Sequence, residues 1–216
     1  ELTGLAAMDA QIRDTTLLII PHLFADFLDF NDFVGKAERL LQRLNLPFEV
    51  CAPDVDETPR KDETTVELAR RLALAKARAV AAKFPQAVVI GSDQVADLNG
   101  EPLGKPGTHE KAVLQLRRMS GQVVMFQTAL AVVCLESGFE ALDLAAVRVK
   151  FRPLSDEAIE QYLRTEQPYD CAGSAKSEGL GIALLDSIDN DDPTALIGLP
   201  MIRTCQLLRA AGLPLL

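Results

Sequence analysis

An acid and an amine flank one short stretch in the middle of the 216-residue chain. Asp93 follows directly on an apolar run that ends in Gly91 and Ser92, and twelve residues later Lys105 lies between a glycine and a proline. Carboxylates can hold a metal ion and activate water, and amines can hold phosphate groups. With the acids and lysines described next, the pair indicates hydrolysis of a phosphoanhydride.

A second group of acids lies in the stretch DVDETPR, at Asp54, Asp56 and Glu57. No histidine or cysteine occurs within this stretch, so its donor set suits a hard ion such as Mg²⁺. Such an ion binds through one or two carboxylates together with substrate phosphates. The stretch therefore predicts an acidic metal-binding loop, and the alternative is a solvated acidic loop.

Two further lysines complete the set. Lys76 follows Leu72 by four residues on a helix predicted over 64–84, so it lies on or beside the buried stripe of that helix. The alternative is a lysine stem that covers the edge of the stripe while its amine stays in water. Lys176 and Glu178 stand in CAGSAKSEGLG, where small residues let backbone amides approach an anion and Glu178 can accept hydrogen bonds from a purine edge.

Each of the remaining residues also has an ordinary structural interpretation. Asp93 could cap a turn or a helix, and Lys105 could be a solvated loop lysine. The stretch over 171–181 could be a plain glycine-rich turn, and it is not a P-loop, because GxxxxGK[ST] does not occur in the chain. Only the combination of the segments favours catalysis.

Strands that alternate with helices must position these side chains, which predicts an α/β fold. Three helix starts carry N-cap signals, at Thr64 with Glu67 in a capping box, at Thr108 and at Ser155. Pro200 suits the first turn of a last helix. The strands over 122–134 and 144–152 can pair antiparallel, so we expect a mixed sheet. The other predicted strands are 15–20, 87–91 and one that begins near 47, and the predicted helices are 34–44, 64–84, 108–119, one from 155 and one over 200–212.

The predicted sheet suggests where a ligand binds. In open α/β sheets, ligands bind in the crevice beyond the carboxyl ends of the strands. The strand over 87–91 would deliver Asp93 to that crevice, and Gly91 and Ser92 would keep the approach small.

Composition excludes several classes of function. The net charge of −9 argues against a nucleic acid polymer or a membrane surface as partner, because both need a basic face. No apolar run reaches transmembrane length, and the first residues do not resemble a signal peptide. The four cysteines show no CxxC spacing, which is typical of reduced core cysteines in a cytoplasmic protein. The two histidines do not pair with a cysteine at zinc-ligand spacing.

The ordered motifs resemble a known family. GSDQV, LGKP and QLRRMSG, with DETPR before them and CAGSAKSEGLGIAL and LIGLP after them, look like the Maf family of nucleoside triphosphate pyrophosphatases over about residues 39–213. The form KSEG is similar to the branch that hydrolyses 7-methyl-GTP. The resemblance implies a mixed twisted sheet with helices on both sides, two lobes around a cleft, and cleavage between the α- and β-phosphates. It also implies a divalent metal (Mg²⁺ or Mn²⁺) and a homodimer.

Residue roles follow from the resemblance by position. Asp93 would accept the proton of the attacking water, and Lys76 and Lys105 would hold the phosphates of the nucleoside triphosphate, with Lys176 as a further substrate-binding amine. Glu57 and Asp93 would form the acidic metal site. Gln94 and Glu178 fall at the positions that tune base choice. A negative Glu178 is a sensible partner for the positively charged ring of 7-methylguanine.

The chain departs from the family near its beginning. Family members have a Ser-x-Ser-x-x-Arg-Arg loop that grips the triphosphate, and here an acidic, phenylalanine-rich stretch stands in its place. Lys36 and Arg39 lie near the right position and receive no family role. We therefore divide the chain into an atypical segment over 1–38 and a Maf-like domain over 39–216.

Three causes are open for this departure: a local disruption of the sequence, which we favour, a diverged enzyme, or a protein that binds without turnover. The second functional hypothesis is accordingly a catalytically impaired nucleotide-binding module. A third is a protein–protein interaction role for the stretch around Phe24, Phe27 and Phe30, which predicts an exposed apolar patch there.

Overall fold

One sheet of seven strands organises the computed structural model, which describes the backbone of residues 17–20 and 30–216 and the side chains of residues 35–216. The strand order is β2-β1-β3-β5-β6-β7, and β4 pairs with β3. β1 is parallel to β2 and β3, and the other pairs are antiparallel, so the predicted mixed sheet is confirmed. The strands are β1 Leu17–Ile20, β2 Phe48–Val50, β3 Val88–Leu98, β4 Glu101–Leu103, β5 Val123–Cys134, β6 Phe139–Phe151 and β7 Leu185–Asp189.

Five α-helices lie in the described part of the chain, and all five correspond to predicted ones. The capping box at Thr64 and the caps at Thr108 and Ser155 are formed as expected. The first helix begins at Phe30, earlier than predicted, and Pro200 is the N-cap of the last helix rather than part of its first turn, because its backbone is extended. The helices are α1 Phe30–Gln42, α2 Thr65–Ala81, α3 His109–Met119, α4 Asp156–Glu166 and α5 Met201–Ala210.

Helices cover both faces of the sheet. On one face α2 packs against alternate residues of β3 and β5, such as Val89 and Ala131. The opposite face carries two separate helical layers: α1 and α5 lie over the end of β3 that contains Ile90, and α3 and α4 lie over the end that contains Ala96. Gln94 therefore stands between the two layers.

The strand that carries Asp93 is longer than predicted. We expected it to end at Gly91 and to present Asp93 beyond its carboxyl end, but β3 continues to Leu98 and Asp93 lies inside it. The reason is pairing with β5, which extends from Val89 opposite Val133 to Asp97 opposite Met125. A local apolar run cannot reveal a partner strand that comes 30 residues later.

Gly91 lets α2 and β3 approach closely. A Cβ atom at this position would lie 2.4 Å from the carbonyl oxygen of Ala73 and 2.9 Å from the Cβ of Ala77. Any side chain here would push the helix away from the strand.

All four cysteines are free thiols. Cys134 is buried in the core and Cys51 packs against a core cluster, whereas Cys171 and Cys205 are partly buried outside the core clusters. Within the part of the chain that the structure describes, no helix has both the length and the apolar character needed to cross a membrane.

Candidate active site

Lys76, Asp93 and Glu57 form a buried cluster where α2 meets β3. The Nζ atom of Lys76 lies 2.7 Å from Asp93 Oδ1 and 2.7 Å from Glu57 Oε1. The side chains of Lys76 and Asp93 are fully buried, and that of Glu57 is 12% exposed. The amine of Lys76 thus lies in the protein interior, and the alternative of a stem with its amine in water is wrong.

The fold brings these three residues together through local geometry. Lys76 lies on the face of α2 that contacts the sheet, and Asp93 points from β3 toward the same helix. Gly91, two residues before Asp93, removes the side chain that would separate helix and strand. The spacing of apolar residues predicted the buried stripe, but it could not predict that two carboxylates would meet the amine.

The loop that carries Glu57 is held by Arg71, a residue that no motif in the sequence indicated. The guanidinium of Arg71 donates to Glu63 at 2.5 and 2.9 Å and to the carbonyl oxygen of Thr58 at 3.1 Å. The Arg71 hydrogen bonds lower the pKa of Glu63 to about 2. The only available sequence signal was the eight-residue separation of these two opposite charges.

The donor set of the cluster fits a hard divalent ion. Glu57 and Asp93 supply carboxylate oxygens, and Glu57 Oε2 is buried with no hydrogen-bond partner among the described residues. Two carboxylates with one ammonium leave one net negative charge. No group of three or more histidine, cysteine or acidic side chains gathers at metal-binding distance in residues 35–216, so the remaining ligands would be phosphate oxygens and water.

Gln94 lies on the opposite face of the sheet from Asp93, because successive strand residues point to opposite sides. Its Nε2 atom donates to Thr128 Oγ1 at 2.8 Å and to the carbonyl oxygens of Ala195 and Leu196 at 3.0 and 3.3 Å. The structure therefore separates this predicted base-choice residue from the Lys76 cluster.

Glu178 stands at the edge of an open depression of about 190 Å³, which Ser177, Ile182 and Leu196 also line. Its carboxylate pairs with Lys36 at 2.5 Å and accepts a hydrogen bond from the Ser177 hydroxyl at 3.3 Å. Lys36, to which the family resemblance assigns no role, is the cation beside the predicted base-reading acid.

The segment around Lys176 is tied to α4. Its backbone N–H donates to the Tyr162 hydroxyl at 3.0 Å, and its Nζ lies 3.4 Å from Asp170. Burial raises the pKa of the neighbouring Cys171 thiol to about 12, so this cysteine is not a ready nucleophile. The glycine-rich stretch is thus an ordered turn that presents Glu178.

Lys105 is half-buried in the loop that follows β4. Leu103 pairs with Ala96, so this loop leaves the sheet beside β3. The role of Lys105 in holding phosphates stays a prediction.

Phe24 and Phe27 lie outside the described residues, as does the side chain of Phe30, so the predicted apolar patch also stays a prediction.

Two family models match different parts of the chain. A family model described as Maf-like protein matches residues 38–211. Another, described as a protein of unknown function (DUF1415), matches residues 1–50. The atypical N-terminal segment thus resembles a different family, although its strand β1 lies between β2 and β3 in the common sheet. Helix α1 crosses residue 38 without a break, and the division at that residue stays a prediction.

Several relatives are similar over most of their length. The chain is 77% identical to a protein of Polaromonas sp. strain JS666. The matched 176 residues cover 82% of this chain and 80% of that protein. It is 70% identical to a protein of Albidiferax ferrireducens, over 82% of this chain and 89% of the relative, and 58% identical to one of Aromatoleum aromaticum, over 81% and 90%. All three are named 7-methyl-GTP pyrophosphatase. By this similarity and by the match over residues 38–211, the chain belongs to the Maf family.

Proposed function

We propose that this chain is a nucleoside triphosphate pyrophosphatase that converts 7-methyl-GTP and water to 7-methyl-GMP and pyrophosphate. The observation that carries the proposal is the buried contact of Lys76 with Asp93 and Glu57. The relatives named 7-methyl-GTP pyrophosphatase support this substrate.

Asp93 acts in this proposal as the general base. Its carboxylate takes a proton from the attacking water while the bond between the α- and β-phosphates breaks and pyrophosphate leaves. Lys76 orients the carboxylate through the 2.7 Å contact and balances its charge. Lys105 and Lys176 would supply positive charge for the phosphates, which the acidic chain otherwise repels, and the same role for Lys76 stays a prediction from the resemblance.

Glu57 and Asp93 would hold Mg²⁺ or Mn²⁺. Such an ion, when bound, neutralises phosphate charge in the transition state. The Glu57→Gln substitution should weaken Mn²⁺ binding measured by calorimetry, whereas Asp54→Asn, on an exposed residue of the same loop, should not. Equal Mn²⁺ affinity in the Glu57→Gln protein would contradict this assignment.

The turnover test uses pyrophosphate release from 7-methyl-GTP, with GTP and UTP as competitors. We expect 7-methyl-GTP to be preferred, EDTA to abolish the reaction, and Asp93→Asn to lower kcat by at least about 100-fold, the usual contribution of a general base. Asp186→Asn, on an exposed acid of β7, is the matched control. An Asp93→Asn protein that keeps full activity would remove Asp93 from the mechanism.

One observation favours a second candidate, a nucleotide-binding module with impaired catalysis. The first 50 residues resemble another family, and the Ser-x-Ser-x-x-Arg-Arg loop is absent. Calorimetry with 7-methyl-GTP beside the turnover assay separates the candidates, because binding without pyrophosphate release supports the module.

A homodimer and a cytoplasmic location stay predictions from the resemblance and the composition.

A further inference from the structure

The side-chain amide of Gln94 is surrounded by hydrogen-bond acceptors on one side. Its Nε2 group has two hydrogens, and three acceptors lie within 3.3 Å of it: Thr128 Oγ1 and the carbonyl oxygens of Ala195 and Leu196. A reversed amide would place Oε1 against two carbonyl oxygens, which repel it. The two carbonyl groups therefore favour one orientation of Gln94.

Thr128 removes the remaining ambiguity. Its side chain is fully buried on β5, directly opposite Gln94 in the strand register. The Thr128 hydroxyl has one hydrogen, and the carbonyl oxygen of Ala195 at 3.0 Å accepts it. The hydroxyl can then only accept from Gln94, so it selects the NH₂ group and turns Oε1 away from Ala195 and Leu196.

We propose that Thr128 is a positioning residue for base recognition, which makes Gln94 a hydrogen-bond acceptor toward the nucleotide. This inference rests on the proposed function. Gln94 lines a narrow depression together with Ser177 and Leu196, and the same two residues border the larger depression at Glu178. Both predicted base-choice residues thus face adjoining space, and both offer acceptors.

Two acceptors suit a base whose edge carries adjacent donors. Guanine and 7-methylguanine present a ring N–H beside an exocyclic 2-amino group, whereas adenine presents an amino group beside an acceptor nitrogen. The ionised carboxylate of Glu178 accepts only, and Gln94 held by Thr128 does the same on its free side. The chemical class selected is therefore a purine with a 2-amino group.

Equilibrium binding of product nucleotides tests this without turnover. The probes are 7-methyl-GMP and 7-methyl-IMP, which differ only in the 2-amino group, measured by calorimetry on the full chain. The wild type should prefer 7-methyl-GMP, and Thr128→Val, which keeps the shape but removes the hydroxyl, should reduce that preference about tenfold, the worth of one hydrogen bond. Thr128→Ser should restore it.

A second variant guards against misfolding of the first. Gln94→Met leaves Thr128 in place and should remove the same preference, and the double variant should lose no more than either single one. An unchanged preference in both single variants, or a Thr128→Ser protein that behaves like Thr128→Val, would overturn the inference. A wild type that discriminates in binding but releases no pyrophosphate contradicts the proposed function alone. A wild type that releases pyrophosphate but shows no preference for 7-methyl-GMP over 7-methyl-IMP overturns the inference alone.

Discussion

Lys76 is the residue on which the candidate site depends most. A lysine amine with no exposed surface is unusual, and here two carboxylates compensate for its loss of hydration. The sequence placed Lys76 beside a buried stripe and Asp93 beside a buried strand, because both signals are local patterns. Their contact with Glu57 was not predictable, since Glu57 lies on an irregular loop whose path no periodicity describes.

Replacement of Lys76 by methionine should destabilise the fold and abolish turnover. Methionine keeps the volume but leaves Asp93 and Glu57 in the interior without this ammonium, which costs about 3 kcal/mol in free energy of unfolding. Urea denaturation measures the effect, and Lys83→Met, on an exposed lysine just after α2, is the control. Equal denaturation midpoints for the Lys76→Met protein and the wild type would contradict the structural role.

Gly91→Ala should separate α2 from β3. The added methyl group would lie 2.4 Å from a backbone oxygen, and relief of that clash should cost about 1–3 kcal/mol in unfolding free energy. Because Lys76 and Asp93 sit on the two separated elements, kcat should fall as well. Gly104→Ala, whose Cβ would meet nothing within 4 Å, should leave the thermal midpoint unchanged. A Gly91→Ala protein as stable as that control would refute the close-packing argument.

At the scale of elements, caps were predictable and strand lengths were not. Thr64, Thr108 and Ser155 signal helix starts as N-cap residues, with Glu67 completing a capping box at Thr64, and all three helices begin there. The length of β3 depends on β5, which is remote in sequence, so the prediction stopped at Gly91. The placement of Gln94 on the face away from Asp93 follows from the same missed extension.

The Arg71–Glu63 pair joins α2 to the loop of Glu57, and its strength should depend on pH. The pKa of Glu63 is lowered from about 4.5 to about 2 in the folded chain. The stabilisation is therefore complete above pH 4.5 and is lost as the pH falls toward 2.

Glu63→Gln should accordingly lower the free energy of unfolding at neutral pH, and its difference from the wild type should shrink between pH 4.5 and pH 2. Chemical denaturation across this range measures the difference. Asp62→Asn, at the exposed neighbouring position, provides the matched control. A difference that stays constant down to pH 2 would exclude the ion pair as its source.

For the whole molecule, the N-terminal segment is the part of the chain that precedes the match to the Maf family model. Residues 38–211 match the Maf model, while residues 1–50 match another family. Composition and motif order were sufficient to predict the α/β class and the family. They did not reveal the second resemblance, because an acidic, phenylalanine-rich stretch has no distinctive motif of its own.

Exchange of residues 21–38 for a segment with a Ser-x-Ser-x-x-Arg-Arg loop should raise pyrophosphate release. The sequence of the present stretch is acidic and lacks the two arginines that the resemblance assigns to phosphate binding, so the exchange should increase kcat/KM for 7-methyl-GTP at least about tenfold. An exchange segment with both arginines changed to glutamine is the control. Equal kcat/KM for the two exchanged chains would show that the arginines are not what the chain lacks.

The long strands have a mechanical consequence. β3, β5 and β6 run 11, 12 and 13 residues without interruption, and β3 and β5 pass beneath both helical layers of one face. At about 3.4 Å per residue these strands are roughly 40 Å long, and antiparallel hydrogen bonding joins β3 to β5 and β5 to β6. A bend between the two helical layers would have to break hydrogen bonds between these strands. We therefore expect the two layers to keep their relative position, since the strands beneath them are continuous.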